Sequence, residues 1–345
     1  MSALKRVALG ALRVPGVARP LGALLRDRAV IFMLHRFRVP DLGVEGLDVE
    51  TLRALLGHLR RHDHELVSLE EVFRRIAGDG PSPDGCIAFT LDDGYFDQAQ
   101  VAGPVFAEFD CPATTFVTAG FLDGQLWFWW DRVEYVFEHT SRTRLDLEVG
   151  GRTVQLAWDD RPERDRARDT FVELCKTVPD AEKHESIARL ARVAEVDPPD
   201  APPERYAPMA WSDLRTWEDR GLRYGAHTVT HPVLSQTDDA QSKHELVHGW
   251  ERLAAEASRP SRVFCYPNGQ LGDFGEREIR TLRELDMLGA VVGAPGYASK
   301  QRFAESEAAP FEVRRFSLPD SLDDLVQLVS GFERLKQLVR READA

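Results

Sequence analysis

The chain has 345 residues, 43% of them hydrophobic and 29% charged, with a formal net charge of -13. That length supports a substantial core, as one large α/β domain with an insertion or as two moderate domains. The acidic balance argues against a general nucleic-acid binder, which needs a basic face to displace counterions. The four cysteines, Cys86, Cys111, Cys175 and Cys265, stand far apart with no CxxC pair, which suggests neither a zinc ribbon nor a dense disulfide framework and predicts buried free thiols.

Residues 1–28 form a basic leader in which Lys5, Arg6, Arg13, Arg19, Arg26 and Arg28 are interleaved with Leu, Val and Ala, and no acidic residue precedes Asp27. This reads as an amphipathic segment for an anionic membrane surface. Its apolar stretches are short and divided by Arg and Pro, which disfavours a membrane-spanning helix and a cleaved signal peptide. A cytoplasmic protein, in peripheral contact with the inner membrane face, is expected.

After the leader, AVIFML (29–34) is a continuous apolar run suited to a strand buried on both faces. It ends at His35. Leu52, Leu55, Leu56 and Leu59 mark one stripe of a helix, and Ser68 with Glu71 reads as a capping box opening LEEVFRRI. The strand CIAFTL (86–91) then runs into Asp92 and Asp93 before Gly94 breaks the chain. Further strands are read at ATTFVTA (113–119), LRYGA (222–226), RVFCYP (262–267), GAVVGA (289–294) and FEVRRF (311–316), with helical patterns between most of them. This alternation implies parallel pairing, and the strand count favours a barrel, whose chemistry lies at the strands' carboxyl ends. His35, Asp92, Asp93 and His227 each follow a predicted strand.

Residues 123–205 interrupt the alternation with the aromatic run LWFWWDRVEYVF, a hairpin around Gly150 and Gly151, and charged helical sequence ending in DPPDAPPERY. This segment reads as an insertion or lid. Trp127, Trp129 and Trp130 are expected to pack it onto the barrel, with a sugar-stacking platform as the alternative.

The Asp92–Asp93 pair has two readings. One is a solvated turn, since Asp-Gly is a common turn pair. The other is a site in which a cation makes two adjacent carboxylates tolerable. HTVTH (227–231) favours the second, because it places two imidazoles four residues apart just after a strand. No glutamate follows His227, unlike the HExxH zinc helix, and Pro232 disfavours a helix at His231. One carboxylate and two imidazoles suit a divalent metal of the zinc type with open positions for water and substrate.

FTLDDG together with HTVTH resembles the first two motifs, T-F-D-D-G and H-[ST]-x-x-H, of the polysaccharide deacetylases, the NodB-like family 4 carbohydrate esterases. MAWSDLRTWEDRGLRYGA resembles the helix leading into the second motif, and FCYPNG (264–269) resembles the third, R-P-P-Y-G. The resemblance covers most of 29–122 and 206–320. It implies a deformed (β/α) barrel at 29–122 and 206–340, interrupted by the 123–205 insertion. It further implies Asp92 as general base, Asp93, His227 and His231 as metal ligands, and the backbone N–H of Asn268 as oxyanion donor. The metal would be Zn²⁺, with Co²⁺, Ni²⁺ or Fe²⁺ using the same ligands.

Two positions depart from the family pattern. The third-motif Arg falls on Cys265, which leaves Arg315 either to steady the base in its place or to serve as a rim charge. The late L-x-H motif is missing, since no His follows His248. VIFMLHRF matches instead the early L-M-Y-H-like motif of permuted members resembling exopolysaccharide and capsule deacetylases, which makes His35 the general acid. The seven remaining histidines read as surface residues. The expected activity is removal of N-acetyl groups from a polysaccharide or glycan precursor. A deacylase or deformylase of a small amide or lipid-linked sugar, and a non-catalytic glycan-binding relative, are the alternatives.

Overall fold

The computed structural model describes residues 19–343, so residues 1–18 of the basic leader lie outside the described residues. Strand β1 (Arg28–Leu34) and strand β2 (Ile87–Asp93) are parallel neighbours, with Phe32 opposite Phe89 and Leu34 opposite Leu91. Strands β3 (Ala113–Val117) and β6 (Arg223–Ala226) extend the sheet in parallel. On the other side of β1 lie a short parallel strand, β11 (Phe316–Ser317), and an antiparallel one, β9 (Ala298–Ser299). A second, parallel sheet has the order β10 (Val313–Arg314), β8 (Gly289–Val292), β7 (Val263–Cys265).

Alternate residues of β1 point to two cores, as the pleat requires. Val30, Phe32 and Leu34 join the helix layer, where Leu52, Leu55, Leu56 and Leu59 of the helix Val49–Arg61 are buried. Each such leucine contributes roughly 1.5–3 kcal/mol. Ala29 and Ile31 face an interior cluster with Ala88, Phe116, Val263, Cys265, Val291 and Val313, drawn from both sheets. That shared interior gives the domain its deformed-barrel character. The strand ladder is not continuous around it, because β6 and β7 belong to different sheets and so do β10 and β11.

FEVRRF is accordingly two strands rather than the single one expected. Val313–Arg314 pairs with β8 and Phe316–Ser317 with β1, so the chain changes sheets at Arg315. The capping box is also only half formed. The Ser68 hydroxyl accepts from the Glu71 N–H, but the Glu71 carboxylate turns to Arg74 and Arg75. His58 is buried and stacked on His62 at 3.9 Å between ring centres, in contrast to the surface position expected for it. All four cysteines are free and buried.

Residues from Trp129 to Ala194 build a separate core from the helix Trp129–His139, the hairpin of β4 (Arg144–Val149) and β5 (Arg152–Ala157), and the helices Arg161–Cys175 and Asp180–Val193. The hairpin turns on Gly150 and Gly151, at φ 60° and 70°, a pair of left-handed positions that suits glycine. Trp127 and Trp129 are buried, whereas Trp130 is half-buried and lines the cleft between this unit and the barrel. Among the described residues, no helix is long and apolar enough to cross a membrane.

Candidate active site

The cleft, about 1120 Å³, opens at the carboxyl ends of the strands and brings together His35, Asp92, Asp93, His227, His231 and Asn268. β2 delivers both aspartates. Neighbouring strand residues point to opposite faces, and the chain resolves this by leaving the extended region at Asp93 (φ 90°) and Gly94 (φ 91°). Asp92 therefore faces the interior and Asp93 faces the imidazoles.

Asp93 Oδ1 lies 3.5 Å from His227 Nε2 and 3.4 Å from His231 Nε2. His227 Nδ1 lies 2.7 Å from the carbonyl oxygen of Cys265. Donation to that carbonyl places the ring proton on Nδ1 and leaves the Nε2 lone pair facing Asp93, the arrangement a ligating histidine needs. Trp130 and Phe128 pack edge-on against His231, at 4.6 and 5.4 Å between ring centres. Burial pulls the His231 imidazole down to about 4, despite the opposing pull of Asp93, and so keeps it neutral. Burial pushes Asp93 the other way, but its contacts with His227 and His231 outweigh this and hold the carboxyl well below the usual range. The three ligand atoms lie within 4.8 Å of one another. One carboxylate oxygen and two imidazole nitrogens form a donor set that fits a divalent ion of the zinc type. A second group, Asp92, His227 and Cys265, meets the same distance test, but Arg315 already engages both Asp92 and the Cys265 sulfur.

Arg315 is 1% exposed, which removes the rim-charge alternative. Its guanidinium donates to Asp92 Oδ1 at 2.7 Å and Oδ2 at 2.8 Å, to Thr90 Oγ1 at 2.9 Å and to the Val292 carbonyl at 3.2 Å. The Cys265 sulfur lies 3.2 Å from Arg315 and 3.5 Å from Asp92 Oδ2. Burial alone would raise the Asp92 carboxyl, but the charge and hydrogen bonds of Arg315 hold it below its ordinary value. Burial pushes the Cys265 thiol up, so it remains a neutral donor. His35, half exposed, stands with Nε2 3.9 Å from Asp92 Oδ2. Asn268 (φ 55°) and Gly269 (φ 68°) form a left-handed pair beside the cleft.

Other contributors carry no motif signal. Gln98 donates from Nε2 to the carbonyls of both His35 and Asp92 and so ties together the ends of β1 and β2. Thr228 Oγ1 accepts from the His231 N–H at 3.0 Å. Tyr95 donates to Asp131 at 2.8 Å and accepts from Trp130 Nε1 at 3.0 Å, which joins the inserted unit to the residue just past Gly94.

A barrel-like α/β fold with a candidate three-ligand metal site beside a buried, arginine-held carboxylate has the parts of a metal-dependent hydrolase. Residues 146–287 match the family model described as polysaccharide deacetylase; this stretch includes His227, His231 and Cys265 but begins after Asp92 and Asp93. The match covers less than half of the chain. No curated protein matches it. Among solved structures it is similar to the Streptococcus pyogenes deacetylase PplD in complex with acetate, at TM-score 0.57 and 15% identity, over 88% of this chain and 99% of that one. It is also similar to IcaB from Ammonifex degensii, at TM-score 0.52 and 16% identity, over 88% of this chain and 97% of that one. At these identities the likeness is one of fold.

Proposed function

We propose that this metal-dependent deacetylase removes N-acetyl groups from an exopolysaccharide- or capsule-type glycan, with Zn²⁺ as its metal. The carrying observation is the arginine-clamped Asp92 beside the Asp93, His227 and His231 group. A divalent ion held by those three residues would act as a Lewis acid toward the acyl carbonyl and the attacking water. Asp92 takes the proton of that water. Its Oδ1 keeps a lone pair beyond the one used by Arg315, whereas Oδ2 also faces the Cys265 thiol, and Arg315 fixes the carboxylate's orientation. The Asn268 backbone N–H donates to the oxyanion that forms as the carbonyl is attacked. His35, facing the cleft, gives a proton to the departing amine.

The cleft exceeds the roughly 300–1,000 Å³ common for small-molecule sites, which supports an oligomeric glycan over a small amide. The likeness to a deacetylase solved with acetate agrees with an acetyl substituent. The basic leader supports a place on the cytoplasmic membrane face, held by anionic lipid.

The test is acetate release from an N-acetylglucosamine oligosaccharide by chelator-stripped and Zn²⁺-reloaded protein. Asp92→Asn is expected to regain metal but not turnover, whereas Asp93→Asn fails to regain metal. A metal-loaded wild type that releases no acetate from such a glycan would refute the reading. Equal metal loss in the two variants would refute the division of roles.

A further inference from the structure

The two ligand histidines stand at either end of a five-residue turn whose backbone is left-handed at Thr228 (φ 69°) and His231 (φ 59°). A β-branched residue rarely adopts this region, and such strain persists only where the surroundings over-determine it. The helix Asp239–Glu256 supplies that constraint. Glu245, 2% exposed, accepts at Oε2 from the backbone N–H groups of Val229 and Thr230, both at 2.8 Å. Its Oε1 accepts from the Thr230 hydroxyl at 2.5 Å. One helical turn later, Gly249 packs directly on the Thr228 backbone: a Cβ there would lie 2.9 Å from the Thr228 carbonyl carbon and 3.1 Å from its Cα and oxygen. Residues four apart share a helix face. Glu245 therefore draws the turn onto the helix, and Gly249 leaves room for it.

We infer that Glu245 and Gly249 are positioning residues for the metal centre. They hold the His227–His231 turn in the strained shape that aims both imidazoles at Asp93. The inference rests on the reading of Asp93, His227 and His231 as metal ligands. A carboxylate that accepts backbone N–H groups makes charge-assisted bonds, about twice as strong as neutral ones. Outer partners of this kind change metal affinity by about 10–100-fold.

The experiment measures Zn²⁺ affinity of the full chain by competition with a chromophoric chelator, with thermal melting followed in parallel. Glu245→Ala is expected to weaken Zn²⁺ binding about 10–100-fold, and Gly249→Ala to do so comparably. Glu245→Gln keeps a carbonyl for the two N–H groups and an NH₂ for the Thr230 hydroxyl, and is expected to lose less than about tenfold. At saturating Zn²⁺ all three should recover turnover, which a purely structural defect would not allow. Wild-type Zn²⁺ affinity in folded Glu245→Ala, or in Gly249→Ala if the first does not fold, overturns the inference. A wild-type chain that binds no Zn²⁺ overturns instead the ligand reading beneath it.

Discussion

Replacing Arg315 with Met isolates the clamp on the candidate base. Met is an elongated apolar side chain that fills part of the space, so the charge rather than a large cavity should dominate the cost. What is lost is two hydrogen bonds to Asp92 at 2.7 and 2.8 Å, between partners 1% and 3% exposed. Asp92 is then left with the Cys265 thiol at 3.5 Å and the half-exposed His35 at 3.9 Å. Breaking a buried pair from one side costs about 3–5 kcal/mol, because a charge stays behind without compensation. Asp92→Asn should cost a similar order for the mirror reason. The double variant buries neither charge, so the two losses should fail to add by about 2–3 kcal/mol, within the range found for contacting pairs. Urea denaturation of the four proteins at pH 7, with chelator present throughout, measures this coupling. Additivity within about 0.5 kcal/mol would show that the pair is not energetically joined. Arg315→Lys, which keeps the charge but not the two-pronged geometry, should hold more stability than Met and still turn over slowly.

Two further outcomes are expected. His35→Ala should lower turnover on an N-acetyl amide by about 10²–10⁴-fold at unchanged metal content, with a smaller loss on an activated ester whose leaving group needs no proton; equal losses on both substrates would remove His35 from the acid's role. Hydrogen bonds from Arg74, ahead of those from Arg75, lower the Glu71 carboxyl from 4.5 to about 2 against the effect of partial burial. A depressed carboxyl stabilises the fold above its unfolded value and loses that contribution as pH falls through the folded one. Glu71→Gln should therefore cost about 1 kcal/mol at pH 7, after allowance for solvent screening. The difference from wild type, read by denaturation, should shrink between about pH 4.5 and pH 2, and a pH-independent difference would contradict the assignment.

The groups that are local in sequence were legible. The apolar runs at 29–34 and 86–91 and the leucine stripe at 52–59 appear as read, and HTVTH turns away from a helix as Pro232 demands. The structure brings Asp93 to both imidazoles, the pairing that the spacing of two short motifs suggested. Arg315 was left between two roles because its partner lies 223 residues earlier, and no periodicity reports such a contact. Gln98 was invisible for a related reason: it reads as one more polar helix residue until its amide meets two main-chain carbonyls. The split of FEVRRF could not be read from an apolar-polar pattern that runs unbroken across it, since the change of partner strand occurs through the backbone. His58 was misassigned because a helix face next to charged residues reads as surface until the neighbouring elements cover it.

The change of sheets at Arg315 ties catalytic competence to the order of assembly. The strands β1, β2, β3 and β6 are complete by residue 226, and pairing among sequence neighbours costs the least loop-closure entropy. Asp92, Asp93 and both histidines are thus in hand when a third of the chain has yet to emerge during synthesis. The guanidinium that orients Asp92 arrives only when the last short strands dock, one on β8 and the other on β1. A nascent or carboxyl-terminally clipped chain that lacks this joint carries Asp93 and both histidines without the clamped carboxylate. On the function proposed above, it would be a metal-binding protein before it is a hydrolase.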